Sequence, residues 1–284
     1  MTEPSLPDVD SSNIIPRVIH QTFPGKQLPA DLAANVDKLK DMNLGWEHRL
    51  YDDTDIERII AVDYGDDMLR LYRSIDPSYG AARADLFRYL LIYRYGGVYL
   101  DIKSSTTRPL DDLLDGAPGY ILCQWDNGPA GSHRHWGLHR ELEGVAGGEL
   151  QQWHVIAPAG HRFLRAVIER VSANIGIYRP WRDGVGRDAV LRATGPVAYT
   201  KAILPLLEGD DFRLVGSERD AGLLWSILPG ESHRNLFTTH YATNFRPVII
   251  PSPVQRPLAV AHGLYRSLRS RMGIVKRQLL GPRD

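Results

Sequence analysis

The stretch 83–103, RADLFRYLLIYRYGGVYLDIK, constrains this chain more than any other. Leu86, Phe87, Tyr89, Leu90, Leu91, Ile92 and Tyr93 cover nearly every direction around a helix axis, so that helix has to be buried. Gly96 and Gly97 stop it, because a positive φ carries no Cβ penalty there. Val98, Tyr99 and Leu100 are too apolar for alternation and predict a short buried strand. Asp101 stands at the strand's exit, where open α/β sheets present ligand-handling groups. Position alone makes Asp101 a functional candidate.

The flanks extend the α/β pattern. Residues 17–23 (RVIHQTF) predict a first strand, 31–42 a helix and 46–51 (WEHRLY) a second strand. Thr54, with Glu57 three residues on, predicts an N-cap for a helix reaching Ala61, and a separate helix follows over 66–74. Later strands are expected at 120–124, 154–157, 212–215 and 225–228, and helices at 162–174 and 196–207. Strands alternating with helices predict an α/β domain with a mostly parallel sheet over 16–253. Residues 1–15 read as a flexible lead-in. The irregular stretch 126–148, rich in Gly, His and Arg, reads as a functional loop, since periodic segments resume after it.

Composition removes several function classes. Thirty-four basic residues balance thirty-four acidic ones, so no global field points to nucleic acid. The single cysteine, Cys123, forbids an intramolecular disulfide and fits a reducing compartment. The polar, acidic N-terminus is unlike a signal peptide, and no apolar run approaches the roughly 18 residues of a membrane span. The expectation is a cytoplasmic protein. Over 254–284, bases accompany apolar residues at helical spacing (Leu264, Leu268, Met272, Val275, Leu279). That predicts a basic amphipathic helix, either docked on the domain or in peripheral contact with an anionic membrane.

Asp85 and Arg88 lie three apart within the apolar helix and so share a face. Buried charges need partners, which leaves two readings: an intrahelical ion pair, or two groups facing a polar ligand. In a short extended segment Asp101 and Lys103 share a side, and they read either as a surface salt bridge or as two groups that reach one ligand. Thr194-Gly195-Pro196 reads either as a plain helix entry or as a set of amides offered to an anion or hydroxyl. His133, His135 and His139 are read as polar loop histidines in preference to a zinc site.

The stretch 83–103 resembles the sugar-binding region with the DXD motif of glycosyltransferase family 32. The likeness extends to IPRVIHQTF at 15–23, NLGWEHRLYDD at 43–53, WHVIAPAGHRFL at 153–164, TGPVAYTKAI at 194–203 and His240 in TTHY. The resemblance implies a GT-A fold, a Rossmann-like sheet binding a nucleotide sugar, and transfer of a hexosyl unit to a saccharide or lipid-linked acceptor with retention. Ile19, His20, Gln21 and Thr22 would line the nucleotide. Asp85, Arg88, Gly96, Gly97, Asp101, Lys103, Thr194 and Gly195 would complete the donor site, with Arg88, Asp101 and Lys103 as catalytic residues. Asp101 and His240 would approach a metal.

Lys103 departs from the family pattern. A full DXD motif has an acid there, which helps to hold Mn2+ or Mg2+ through oxygen ligands. A protonated lysine cannot do that, and its ammonium can instead neutralise the leaving phosphate. The divalent-cation expectation is correspondingly weakened. Metal binding by Asp101 with His240, and a Lys103 turned to solvent, stay open as alternatives.

Overall fold

A computed structural model describes residues 4–10, 13–116, 119–228 and 244–266. The apolar runs pair into one six-stranded sheet of β1 (Val18–Thr22), β2 (Glu47–Tyr51), β3 (Gly97–Leu100), β5 (Tyr120–Gln124), β6 (His154–Ala157) and β7 (Phe212–Ser217), in the order β2-β1-β3-β6-β5-β7. β1 pairs in parallel with β2 and β3, and β5 with β7. β6 runs antiparallel to its neighbours β3 and β5. Five strands therefore share a direction and one opposes them. This is the α/β, mostly parallel sheet flanked by helices that the GT-A expectation called for. A two-stranded antiparallel ladder joins β4 (Ser105–Thr106) to β8 (Leu223–Leu224).

Helices α1 (Ala30–Met42), α2 (Asp53–Ser74), α3 (Gly80–Tyr95), α4 (Leu110–Leu114), α5 (Arg162–Ile177), α6 (Pro180–Asp183), α7 (Arg187–Ala193) and α8 (Pro196–Ile203) cover the sheet. On one face α2, α3, α5, α7 and α8 share a continuous core with Tyr99, Leu122, Val155 and Ala157. The other face buries Ile19, Val98, Leu100, Ile121, Cys123 and Ile156 with Leu39, Leu110 and Leu113. Both faces of β3 are thus sealed, which is why its sequence does not alternate. Cys123 is a packing residue, and burial raises its thiol well above the ordinary range.

Some local expectations change. The cap of α2 is Asp52, not Thr54: its side chain accepts from Asp55 N, and Asp55 reciprocates in a capping box. A carboxylate two residues earlier caps the helix, so the threonine is drawn into it. The two helices expected over 54–74 are there as the two arms of α2, separated by a kink at the non-helical Gly65 (φ 76°). No strand forms over 225–228; the pairing edge is at β8 instead. The lead-in is not free of the domain, since Leu6 and Val9 pack on the core and Pro7 O accepts from Tyr93 Oη at 3.3 Å.

Gly96 and Gly97 do have positive φ, 66° and 101°. A Cβ on Gly97 would lie 2.7 Å from Val18 O, so only glycine lets β3 start against β1. Among the described residues no helix is long and apolar enough to cross a membrane. A helix over 256–266 leaves Leu258, Val260, Leu264 and Tyr265 exposed; the rest of the tail lies outside the described residues.

Candidate functional site

Strand direction decides where the chemistry gathers. β1, β3, β5 and β7 end on one edge of the sheet, and β6 enters from it. Thr22, Asp101, Trp125 and Glu218 therefore meet residues 151–153 along a single edge. Gly96 and Gly97 lie at the other end of β3, about 13 Å of strand away from Asp101. Their expected place in the donor site is not borne out; they are packing residues of the helix-to-strand turn.

Asp101 is pinned through its backbone. Its N donates to Trp153 O at 2.9 Å, and its O accepts from Ser104 N at 2.7 Å and Gln21 Nε2 at 3.3 Å. Its carboxylate is 24% exposed, and Oδ1 lies 3.0 Å from Arg88 Nη2. The carboxylate is the one part of Asp101 left open to a ligand.

Arg88 explains that orientation. Its side chain is 4% exposed, with Nη2 also 3.4 Å from Asp85 Oδ1. Nη1 donates to Gln152 O at 2.7 Å and to Gln152 Oε1 at 2.9 Å, and Nε donates to Ala84 O at 3.3 Å. The guanidinium also lies over the Tyr99 ring. Burial works against its charge, but Asp101 and Asp85 outweigh burial and hold it protonated. With its five N–H groups facing protein acceptors, Arg88 has no spare donor for a phosphate. It positions Asp101.

Asp85 sits deeper still. Oδ2 accepts from Thr194 Oγ1 at 2.9 Å and Oδ1 from Gln152 Nε2 at 3.1 Å. Burial raises its pKa while Arg88, Thr194 and Gln152 oppose that shift. The intrahelical ion pair exists, and it is extended by a third carboxylate, that of Asp101, which is part-exposed. Thr194 N and Gly195 N both donate to Val190 O, so the helix entry at Pro196 offers neither amide to an anion. Thr194 acts through Asp85, and Gly195 is structural.

On β1 the expected nucleotide-lining run divides. Ile19 is core. His20 is fully buried, with Nε2 donating to Gly96 O at 3.1 Å and Nδ1 accepting from Tyr51 Oη at 2.8 Å. Gln21 and Thr22 remain at the edge: Gln21 reaches Asp101 O, and Thr22 Oγ1 lies 2.9 Å from Tyr99 Oη. His240 lies outside the described residues.

Burial, chiefly, lowers His20 and His48 to about 4 and His154 to about 3, against 6.5 for a free imidazole. Between those values and 6.5 the unfolded chain binds more protons than the folded one. The stability these rings contribute is present above 6.5 and is lost as pH falls toward 4. Each fully buried ring contributes up to about 1.4 kcal/mol per pH unit. Urea unfolding midpoints are expected to fall steadily from pH 7 to pH 4; a flat profile would show that the rings are protonated in the fold.

Lys103 neither pairs with Asp101 nor turns to open solvent. Its Nζ sits 4.2 Å from the centroid of the Trp225 ring, and burial lowers its pKa against the pull of Asp101. Among the described residues the donor set does not suit a divalent cation, and His240 lies outside them. One oxygen of Asp101 faces Arg88, Lys103 occupies the second acid's position, and no group of three His, Cys, Asp or Glu converges among the described residues. In the loop, His133 contacts Glu218 Oε1 at 2.8 Å and His139 pairs with Glu149, so neither is poised for zinc.

Gln152 and Trp225 were not singled out from the sequence. An amide ahead of a strand carries no signal by residue type; only its contacts with Arg88 and Asp85 give it a role.

A family model described as the glycosyltransferase sugar-binding region containing DXD motif matches residues 29–119, the segment that supplies Asp85, Arg88, Asp101 and Lys103. Inositol phosphoceramide mannosyltransferase 3 of Schizosaccharomyces pombe is 35% identical over 105 residues, 37% of this chain and 29% of that protein. Mannosyl phosphorylinositol ceramide synthase CSH1 of Saccharomyces cerevisiae is 32% identical over 101 residues, 36% of this chain and 26% of that protein. The matches thus span under a third of either relative's length. Among solved structures, the PaToxG glycosyltransferase aligns with a TM-score of 0.44 and 13% identity, covering 68% of this chain and 70% of that one. Residues 29–119 of this chain are thus similar to the glycosyltransferase sugar-binding region containing DXD motif.

Proposed function

We propose that the protein transfers a hexosyl unit from a GDP- or UDP-linked sugar to a hydroxyl of a saccharide or lipid-linked acceptor, with retention at the anomeric carbon. The observation that carries this reading is Asp101, half-open at the sheet edge and held there by a buried arginine. The relatives' names favour a mannosyl unit and an inositol-bearing lipid acceptor, and so a role in glycolipid or polysaccharide synthesis.

In this reading Asp101, Gln21 and Thr22 hold donor hydroxyls, while Arg88, Asp85, Gln152 and Thr194 fix Asp101. The bond from the anomeric carbon to the diphosphate oxygen breaks, and its electrons leave with that oxygen. The Lys103 ammonium swings from Trp225 to neutralise it. The acceptor oxygen bonds to the anomeric carbon on the same face and passes its proton to the departing phosphate. Positioning and charge compensation carry this chemistry.

The test is turnover of GDP- and UDP-hexoses by EDTA-treated protein. Transfer is expected to persist without added Mn2+, and Lys103→Ala is expected to lower kcat by about 10²-fold. Strict dependence on Mn2+ with an active Lys103→Ala would exclude the lysine from this role. A second reading, a nucleotide-sugar-binding protein without catalysis, is favoured by the missing second acid; it requires donor binding with neither transfer nor hydrolysis.

A further inference from the structure

Beyond the matched segment, four rings gather on the same edge. Trp125 follows β5 directly, and its ring centroid lies 5.1 Å from Trp136 and 6.0 Å from Trp225. Trp136 and Trp225 stand 4.9 Å apart at 86°. His133 closes the group, 4.8 Å from Trp125 and 4.9 Å from Trp136. The rings differ in exposure. Trp125 is buried, with its indole N–H donating to Glu149 Oε1 at 2.6 Å, whereas Trp136 is 42% exposed.

The cluster is built in place. A Cβ on Gly137 (φ 74°) would lie 2.6 Å from Trp125 Cδ1, so the glycine lets the loop close on that ring. Ser104 Oγ donates to Trp225 O at 2.7 Å and Ile227 N to Lys103 O at 2.9 Å, which ties Trp225 to the turn after Asp101. The rim is polar. Glu218, 3% exposed, receives Gln151 Nε2 at 2.7 Å on one oxygen and faces His133 with the other.

We infer that Trp136 and Trp225, backed by Trp125 and rimmed by His133, Glu218 and Lys103, form the acceptor subsite and take a polyhydroxylated six-membered ring. Such a ring has a C–H face for an indole and a hydroxyl edge for a carboxylate and an ammonium. A nucleotide base is the poorer occupant. Gln21 and Thr22 lie across β3 from this cluster in the strand order, so a donor lying over Asp101 with its nucleotide toward β1 points its sugar at these rings. Lys103, two residues from Asp101, joins the two halves. The inference rests on the proposed transfer reaction for its role, though not for the binding itself.

Saturation-transfer NMR on the full chain with methyl α-D-mannopyranoside and with myo-inositol tests the binding. One or both probes are expected to receive saturation at their ring C–H protons, and Trp136→Ala is expected to weaken that binding by about tenfold or more. The responding probe tells a saccharide acceptor from a cyclic polyol headgroup. In transfer assays the same substitution should raise the acceptor KM about tenfold while the donor KM moves less than about twofold. No saturation of either probe, or equal saturation in Trp136→Ala, overturns the subsite. Ring binding without turnover of any nucleotide sugar would instead overturn the transfer reading and leave the subsite standing.

Discussion

Arg88→Met is expected to destabilise the fold by about 3–5 kcal/mol, measured by urea unfolding at neutral pH, because it strands a buried charge. The substitution keeps side-chain length and removes every polar contact to Gln152, Asp85 and Asp101. Asp101 is part-exposed and recovers water. Asp85 cannot, because its remaining partners are Thr194 and Gln152 within a closed site.

Burial already raises the Asp85 pKa, and Arg88 is the foremost influence opposing that rise. Without Arg88 the folded carboxyl titrates still further above its unfolded value. A raised folded pKa means that the folded state holds the proton over that range, so stability is lost as pH rises through it. The deficit of Arg88→Met relative to wild type should therefore grow from pH 4 to pH 7 and shrink on acidification. Adding Asp85→Asn should restore part of the loss at pH 7. A deficit under about 1 kcal/mol would mean that the network is no more than a surface-like pair.

How legible this site was depended on how local each signal is. The helix, double glycine, strand and terminal acid of 83–103 could be read because burial on both faces, positive φ and strand exit each leave a residue-type signature. The direction of β3, and hence the edge on which Asp101 stands, also followed from the pattern. What Asp85 and Arg88 face could not be read. Their third partner is Gln152, brought alongside by the antiparallel β6, and no one-dimensional spacing encodes that register.

The same limit separated Gly97 from the site. Adjacency to Asp101 in sequence is a full strand's length in space. It also hid the meeting of Trp125 and Trp136, which flank one irregular loop, with Trp225 from a segment distant in sequence. Lys103 was recognised as a departure from the family pattern, but its resting place on Trp225 depends on that long-range contact.

Asp101→Asn separates holding the site from using it. The substitution keeps shape and backbone bonds, and the side chain is part-exposed, so its stability cost should stay near about 1 kcal/mol or below. Arg88 retains Asp85 and Gln152. Activity should respond very differently. If the carboxylate grips donor hydroxyls while the bond to the diphosphate breaks, losing its charge should lower kcat by about 10²–10³-fold. Donor affinity should fall less, because Gln21 and Thr22 remain. Arg88→Met should lose activity and stability together; Asp101→Asn should lose activity alone. Transfer rates within about tenfold of wild type would remove Asp101 from the reaction. A stability loss as large as that of Arg88→Met would make the carboxylate a structural partner of the arginine, and the functional edge of the sheet would then have to be sought among the tryptophans and Lys103.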